Sequence, residues 1–338
     1  MLKKAGSAIV VLIALLILSY FLQPVKKGVG SIPAIKYKLV KDWLHLPDNI
    51  HLGNPVGIGI DTGQNIIIFQ RGEREWPLLG PIPRNPIASN TVLIINKYNG
   101  ALINSWGSNL FVMPHGLTVD RENNIWVTDV GLHQVFKFTH DGKLVMKLGV
   151  AGIAGNDSVH FNKPTDIAIA KDSSFYVSDG YGNSRVVKFS PQGKYLFEWG
   201  IRGSEPGAFT IPHAVSLDDK ENIYVADREN NGIQIFDSNG KLIKIITDKS
   251  FGAICSVFFD AKHQKLIAAD DFSFLKIKHR GSDVLVMDSE GKIEARFGRS
   301  GSYDGSDTWY HDLAIDNEEN IYLCDILENR IQKFEKVQ

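Results

Sequence analysis

Three histidines could do chemistry together. His115 in MPHGLTVD, His213 in IPHAVSLD and His311 in WYHDLAID each stand five residues before an aspartate, and they recur at an interval of 98 residues (115 to 213, 213 to 311). Three converging imidazoles leave a fourth coordination position open, which is how a catalytic zinc is held. Whether these three converge depends on the elements that carry them.

From Pro55 onward the chain repeats itself. Six segments align: GIGIDTGQNIIIFQRG (from Gly57), HGLTVDRENNIWVTDVGLHQVFKF (from His115), TDIAIAKDSSFYVSDGYGNSRVVKF (from Thr165), HAVSLDDKENIYVADRENNGIQIF (from His213), SVFFDAKHQKLIAADD (from Ser256) and HDLAIDNEENIYLCDILENRIQKF (from His311). Each opens with an apolar alternation, turns through polar residues such as Glu122-Asn123-Asn124, and continues with a β-branched and aromatic run such as Ile125-Trp126-Val127. Between units lie hairpin signals at Asn99-Gly100, Asp141-Gly142, Gln192-Gly193, Asn239-Gly240 and Glu290-Gly291, of a kind that matches the twist of antiparallel strands. Four short strands in a period of ~40 to 50 residues describe a β-propeller blade. The expected architecture is therefore all-β, a six-bladed β-propeller. The sixth unit stops at Phe334 without the hairpin that follows the other five, so Ile35–Val40 is expected to supply its outer strand and cover the edge.

This frame makes the histidine spacing informative. Residues at equivalent positions two blades apart sit one third of a turn apart around the axis, and the three histidines fall in blades 2, 4 and 6. Val56, Thr165 and Cys255 hold the equivalent positions in blades 1, 3 and 5. Repeat duplication by itself accounts for any one Pro-His at a strand start, but it does not select alternate blades. The other histidines, including His45, His133, His140 and His279, show no such relation and are expected at the surface or in structural roles.

Composition bounds the partners and the compartment. The 338 residues include 37 basic and 38 acidic side chains, a net charge of −1, which argues against a nucleic-acid partner. Two cysteines, Cys255 and Cys324, are too few for a disulfide framework. The uncharged run Ala5–Leu22, 18 residues behind Lys3 and Lys4, is near the ~20 that span a bilayer. A cleaved signal peptide has a shorter apolar region and a small-x-small site, which is not found before Gln23-Pro24. Residues 1–28 are therefore expected to be an uncleaved transmembrane anchor, with residues 29–338 forming one monomeric propeller on the extracytoplasmic side.

MPHGLTVD, VSDGYGNSR, IPHAVSLD and VADREN together resemble the peptidyl-α-hydroxyglycine α-amidating lyases, NHL-repeat six-bladed propellers, and the resemblance runs over roughly residues 37–336. It implies cleavage of a C-terminal α-hydroxyglycine into a peptide amide and glyoxylate, at a zinc held by His115, His213 and His311. It also implies a base at Tyr181, arginines acting at Arg71 and Arg228, and a structural calcium held by the backbone carbonyls of Ile58 and Leu117 with the Asp312 carboxylate. Two disulfides of the animal enzymes are missing, since Asn162, Gly182, Tyr224 and Ile235 occupy those positions. The loss bears on the chemistry through the mobility of the Tyr181 loop. Trp309 stands where the animal enzymes carry methionine, and no copper monooxygenase domain is recognised, so the hydroxylated substrate is expected from elsewhere.

The chemistry asks for the same residue types. Collapse of a carbinolamide needs a deprotonated hydroxyl and a protonated leaving nitrogen. A tyrosine with an ordinary pKa of ~10 needs nearby positive charge to act as a base, and an arginine suits a carboxylate through a bidentate contact. Two other readings stay open. A non-catalytic binding or scaffold propeller would not need its histidines to hold metal. A calcium-dependent lactonase would need a channel cluster of Asp, Glu and Asn, whereas Asp129, Asp179, Asp227 and Asp325 share a strand-end position expected to be structural.

Overall fold

The computed structural model describes residues 37–77, 80–274, 278–298 and 308–337, with backbone only at 272–274 and 278–280. Every described residue belongs to one compact unit, Ile32–Gln338. The anchor expected at Ala5–Leu22 lies outside the described residues, among which no helix is long and apolar enough to cross a membrane.

Strong period-2 segments become six four-stranded antiparallel sheets. The first has the order Pro55–Ile60, Ile66–Gln70, Val92–Ile95 and Leu102–Trp106. The next four follow in sequence, beginning at Pro114–Val119, Asp166–Ile169, Pro212–Leu217 and Ala253–Asp260. The innermost strand of each sheet adjoins those of both neighbours, so the sheets close as the blades of a six-bladed propeller. All five glycine hairpins fall between third and fourth strands, as the sequence predicts.

Ring closure follows the expected route. The sixth blade runs Tyr310–Ile315, Ile321–Asp325 and Arg330–Lys336, and its outer strand is Tyr37–Val40, in register Tyr37 with Lys336 and Val40 with Lys333. Tyr37 stacks on Phe297 of blade 5 at 4.8 Å between ring centroids. Ile35 and Lys36 lie outside the described residues.

The core is spread over the six seams between blades. Second strands such as Ile125–Asp129 and Ile223–Asp227 are buried on both faces, whereas outer strands such as Tyr195–Trp199 alternate with solvent. Aromatic pairs bridge neighbouring blades, among them Phe69 with Phe111 at 5.0 Å and Trp126 with Phe175 at 4.7 Å. Such pairs add to simple burial and hold the blades at fixed angles around the axis. The rigid inner strands are what place the histidines.

Candidate metal centre and active site

Each histidine occupies the second position of an innermost strand, at an irregularity in the ladder. Pairing passes from Pro212 to Ala214 and from Tyr310 to Asp312, leaving His213 and His311 unmatched by the neighbouring strand, and from Pro114 to Leu117 around His115. A bulge turns a side chain out of the normal alternation, here toward the axis. Gly116 permits the approach of blades 2 and 3, because a Cβ there would stand 2.4 Å from the Thr165 carbonyl oxygen.

The alternate blades have complementary tasks. Nδ1 of His115 lies 2.7 Å from the Thr165 carbonyl, Nδ1 of His213 2.6 Å from that of Cys255, and Nδ1 of His311 2.7 Å from that of Val56. A carbonyl carries no proton, so each Nδ1–H must donate, and the network assigns every Nε2 as an acceptor. A hydrogen bond from the far ring nitrogen of a ligating histidine fixes both its tautomer and its ring angle in metal sites. Val56, Thr165 and Cys255 thus orient the three ligands through backbone atoms, a role without a side-chain signal in the sequence.

The three rings converge as predicted. Their centroids are 4.6, 4.8 and 4.9 Å apart, and one ligand atom from each lies within 4.8 Å of the others. All three are buried, and burial, reinforced by the neighbouring imidazoles and arginines, pushes their pKa values down, His311 to about 3. The set is therefore neutral and ready to ligate. Three buried acceptors face one donor, the Tyr181 hydroxyl, 3.1 Å from His115 Nε2 and 3.0 Å from His213 Nε2. One hydroxyl proton satisfies only one of them, and among the described residues His311 Nε2 has no hydrogen-bond partner. Buried polar atoms left this way are costly, and a metal ion fits all three at once.

Tyr181 is held on the loop of VSDGYGNSR that joins the second and third strands of blade 3, Phe175–Asp179 and Arg185–Phe189. Gly180 lets that loop pass over blade 4, since a Cβ would meet the Pro212 carbonyl oxygen at 2.1 Å. Gly182 N donates to the Asn162 carbonyl at 2.9 Å and Asn162 N to Asp179 Oδ1 at 2.9 Å. Hydrogen bonds therefore brace the loop where a disulfide was expected to be missed, and the other pair, Tyr224 and Ile235, are cross-strand neighbours in blade 4.

Both arginines reach the same place. Arg228 Nη1 donates to the Tyr181 hydroxyl at 3.2 Å, and its guanidinium lies 5.3 Å from the Tyr181 ring centroid. Burial opposes the charge on Arg228, but Tyr181, Cys255 and Glu229 hold its pKa above the usual value. Arg71 is 2% exposed; its Nε donates to the Pro114 carbonyl at 2.9 Å and its Nη1 to Asn54 Oδ1 at 3.1 Å. Burial lowers its pKa to about 10, which leaves it charged at neutral pH. Burial raises the Tyr181 pKa, and Arg228 and Arg71 act against that rise.

Other sequence candidates separate into structural roles. Asp120, Asp218 and Asp316, five residues after each histidine, accept the backbone N–H of Asn124, Asn222 and Asn320 and close the turns at the far end of the inner strands. Asp129 accepts from the N–H groups of Val112 and Met113, Asp227 from that of Thr210 and Asp325 from that of Trp309, so the strand-end aspartates fix the segments leading into the histidines. His140 pairs with Asp61, and His133 accepts from Lys163 N, both structural as expected. The two cysteines are free and buried.

On the axis beyond the histidines, a void of only about 10 Å³ precedes a channel cavity of about 390 Å³. Ile58, Leu117 and Asp312 all line that cavity, opposite Asp166. Asp312 Oδ2 accepts from Ile58 N at 2.9 Å and Oδ1 from Ser256 Oγ at 2.7 Å. Burial pushes its carboxyl up to about 7, and burial together with Asp312 pushes Asp166 well above the carboxylate range. Two half-buried carboxyls in a cavity with no Lys or Arg among its described lining residues suit a cation. Sequence reasoning named Asp312 and missed Asp166, which TDIAIA carries at a strand start.

Comparisons with known proteins agree with this geometry. An NHL-repeat family model matches residues 111–138, and a six-bladed β-propeller family model matches residues 153–278. "Peptidyl-glycine alpha-amidating monooxygenase B" of Xenopus laevis is 34% identical over 310 residues, which is 87% of this chain and 35% of that protein. "Peptidyl-alpha-hydroxyglycine alpha-amidating lyase 1" of Drosophila melanogaster is 36% identical over 290 residues, 78% of this chain and 50% of the fly protein. The chain thus spans between a third and a half of the length of these relatives. A streptogramin B lyase structure superposes with a TM-score of 0.58 at 12% identity, covering 88% of this chain and 97% of that one, and shares the fold. The chain is a six-bladed propeller that matches an NHL-repeat model in part and is similar in sequence to the peptidyl-α-hydroxyglycine α-amidating lyases.

Proposed function

We propose that the protein is a zinc-dependent lyase that converts a peptidyl-α-hydroxyglycine into a peptide amide and glyoxylate. The observation that carries the reading is the meeting of three neutral, inward-turned Nε2 atoms with a tyrosine hydroxyl and an arginine. Zinc held by His115, His213 and His311 would acidify the substrate hydroxyl, the chemistry that collapse of a carbinolamide needs. Tyr181 takes the hydroxyl proton and returns it to the departing amide nitrogen as the C–N bond breaks, so no oxidant or water is consumed. Arg228 stabilises the tyrosinate that this requires, and Arg71 with Arg228 offers planar donors to the glycine-derived carboxylate. A binding propeller would gain nothing from three neutral imidazoles aimed at one point.

Turnover of α-hydroxyhippurate by Arg71→Lys tests the grip. Lysine keeps the charge but cannot hold Pro114 O and Asn54 Oδ1 together while facing a carboxylate. We expect kcat/KM to fall by about 10- to 100-fold, the scale of losing one hydrogen bond to a charged group. Unchanged glyoxylate release would remove Arg71 from the reaction.

We propose a structural calcium ion in the channel, held by Asp312 and the carbonyls of Ile58 and Leu117. It would link blades 1, 2 and 6 near the axis. A calcium chelator should then lower the melting temperature of wild type and leave Asp312→Ala unaffected; an unchanged wild-type transition would contradict the site. The same account takes residues 1–28 as a membrane anchor and the propeller as an extracytoplasmic monomer, on the strength of the run Ala5–Leu22.

A further inference from the structure

The mouth of the site departs from the repeat at blade 1. Elsewhere the second and third strands are joined by short turns, such as that between Asp129 and Gln134, but here the connection runs from Gln70 to Val92. Connections of this length inside a compact domain are usually functional. Arg74 secures it by donating to the carbonyls of Asn85 and Val112, the latter just before Pro114-His115.

Trp76 stands on this connection. Its ring lies 5.1 Å from that of Tyr181, inclined at 44°, and the Arg71 guanidinium lies 5.5 Å from its centroid. It is nevertheless 40% exposed. Tyr181, the ring Trp76 packs on, also packs with Ile82 and Leu132 against a buried apolar floor of Val112, Met113 and Val130. An isolated surface tryptophan needs no explanation, but this one packs on two residues of the reaction, one of which, Tyr181, also borders that apolar floor.

We propose that Trp76, with Ile82 and Leu132, forms an apolar subsite for the residue preceding the hydroxyglycine, so that substrates with an aromatic or large aliphatic side chain there are preferred. The inference rests on the lyase reading for its substrate class. With the hydroxyl at the histidines and the carboxylate toward Arg228, the acyl portion must leave through the mouth, because the axis below narrows to about 10 Å³. Trp76 is a partly exposed ring set against Tyr181, where the acyl portion would pass.

The test compares N-acetyl-phenylalanyl-α-hydroxyglycine with N-acetyl-glycyl-α-hydroxyglycine. Wild type should favour the phenylalanyl substrate by about tenfold or more in kcat/KM, mainly through KM, within the range for filling an apolar pocket. Trp76→Ala should bring the ratio close to one, and Trp76→Phe should keep most of it, an exchange that a merely structural loop residue would not show. Equal wild-type values, or a ratio unmoved in Trp76→Ala, would overturn the subsite. Binding of N-acetyl-phenylalaninamide and N-acetylglycinamide, titrated by NMR, reads the same preference without turnover. If no glyoxylate is released yet the phenylalaninamide preference is present and lost in Trp76→Ala, the subsite stands and the lyase reading alone fails.

Discussion

Tyr181→Phe should lower kcat by about 10² to 10⁴, the contribution of a positioned general acid-base group, while metal content stays at the wild-type level. Only the hydroxyl is removed. The ring contacts with Trp76 at 5.1 Å, His115 at 5.0 Å and His213 at 5.6 Å are open to phenylalanine as well, so the loop should keep its place. The hydroxyl's neighbours explain the size of the effect. Burial alone would hold the proton too tightly for a base, and Arg228, donating at 3.2 Å, supplies the opposing charge. Kinetics and metal analysis on the same preparation check this. Undiminished turnover, or a loss that follows metal release, would take the proton-transfer role away from Tyr181.

His213→Ala should abolish metal binding at stoichiometric concentrations and reduce glyoxylate release to background. Loss of an orienting partner alone weakens metal affinity by about 10- to 100-fold, and removal of a ligand costs more because two imidazoles remain where three converged. The substitution also leaves the Cys255 carbonyl without its 2.6 Å donor, so some loss of thermal stability should accompany it. His140→Ala is the control, since its Nε2 faces Asp61, not the centre. Metal retained near one per chain in His213→Ala would contradict a three-histidine site.

Much of this was legible in the sequence because a propeller is a repeat, and a repeat converts spacing into direction. An interval of 98 residues spans two blades, which is why His115, His213 and His311 meet. The missing sixth hairpin likewise pointed to Ile35–Val40, within which Tyr37–Val40 is the closing strand. What was not legible falls into two kinds. The carbonyls of Val56, Thr165 and Cys255 orient the ligands, but any residue type offers a carbonyl, so the side chains at those positions carry no trace of the task. Trp76 and Arg74 lie in a connection outside the repeat, where no neighbouring blade gives a template. Asp120, Asp218 and Asp316 show the converse: their regular distance from the histidines reflects strand length, with each carboxylate closing a turn at the other end.

The central claim is the reaction itself, and product stoichiometry tests it most directly. Zinc-loaded protein incubated with α-hydroxyhippurate should release glyoxylate and benzamide in equal amounts, with no oxidant consumed, and should leave lactones unopened. Protein that holds its metal yet yields no glyoxylate from α-hydroxyhippurate or other α-hydroxyglycine compounds would contradict the lyase account and leave only a metal-binding propeller.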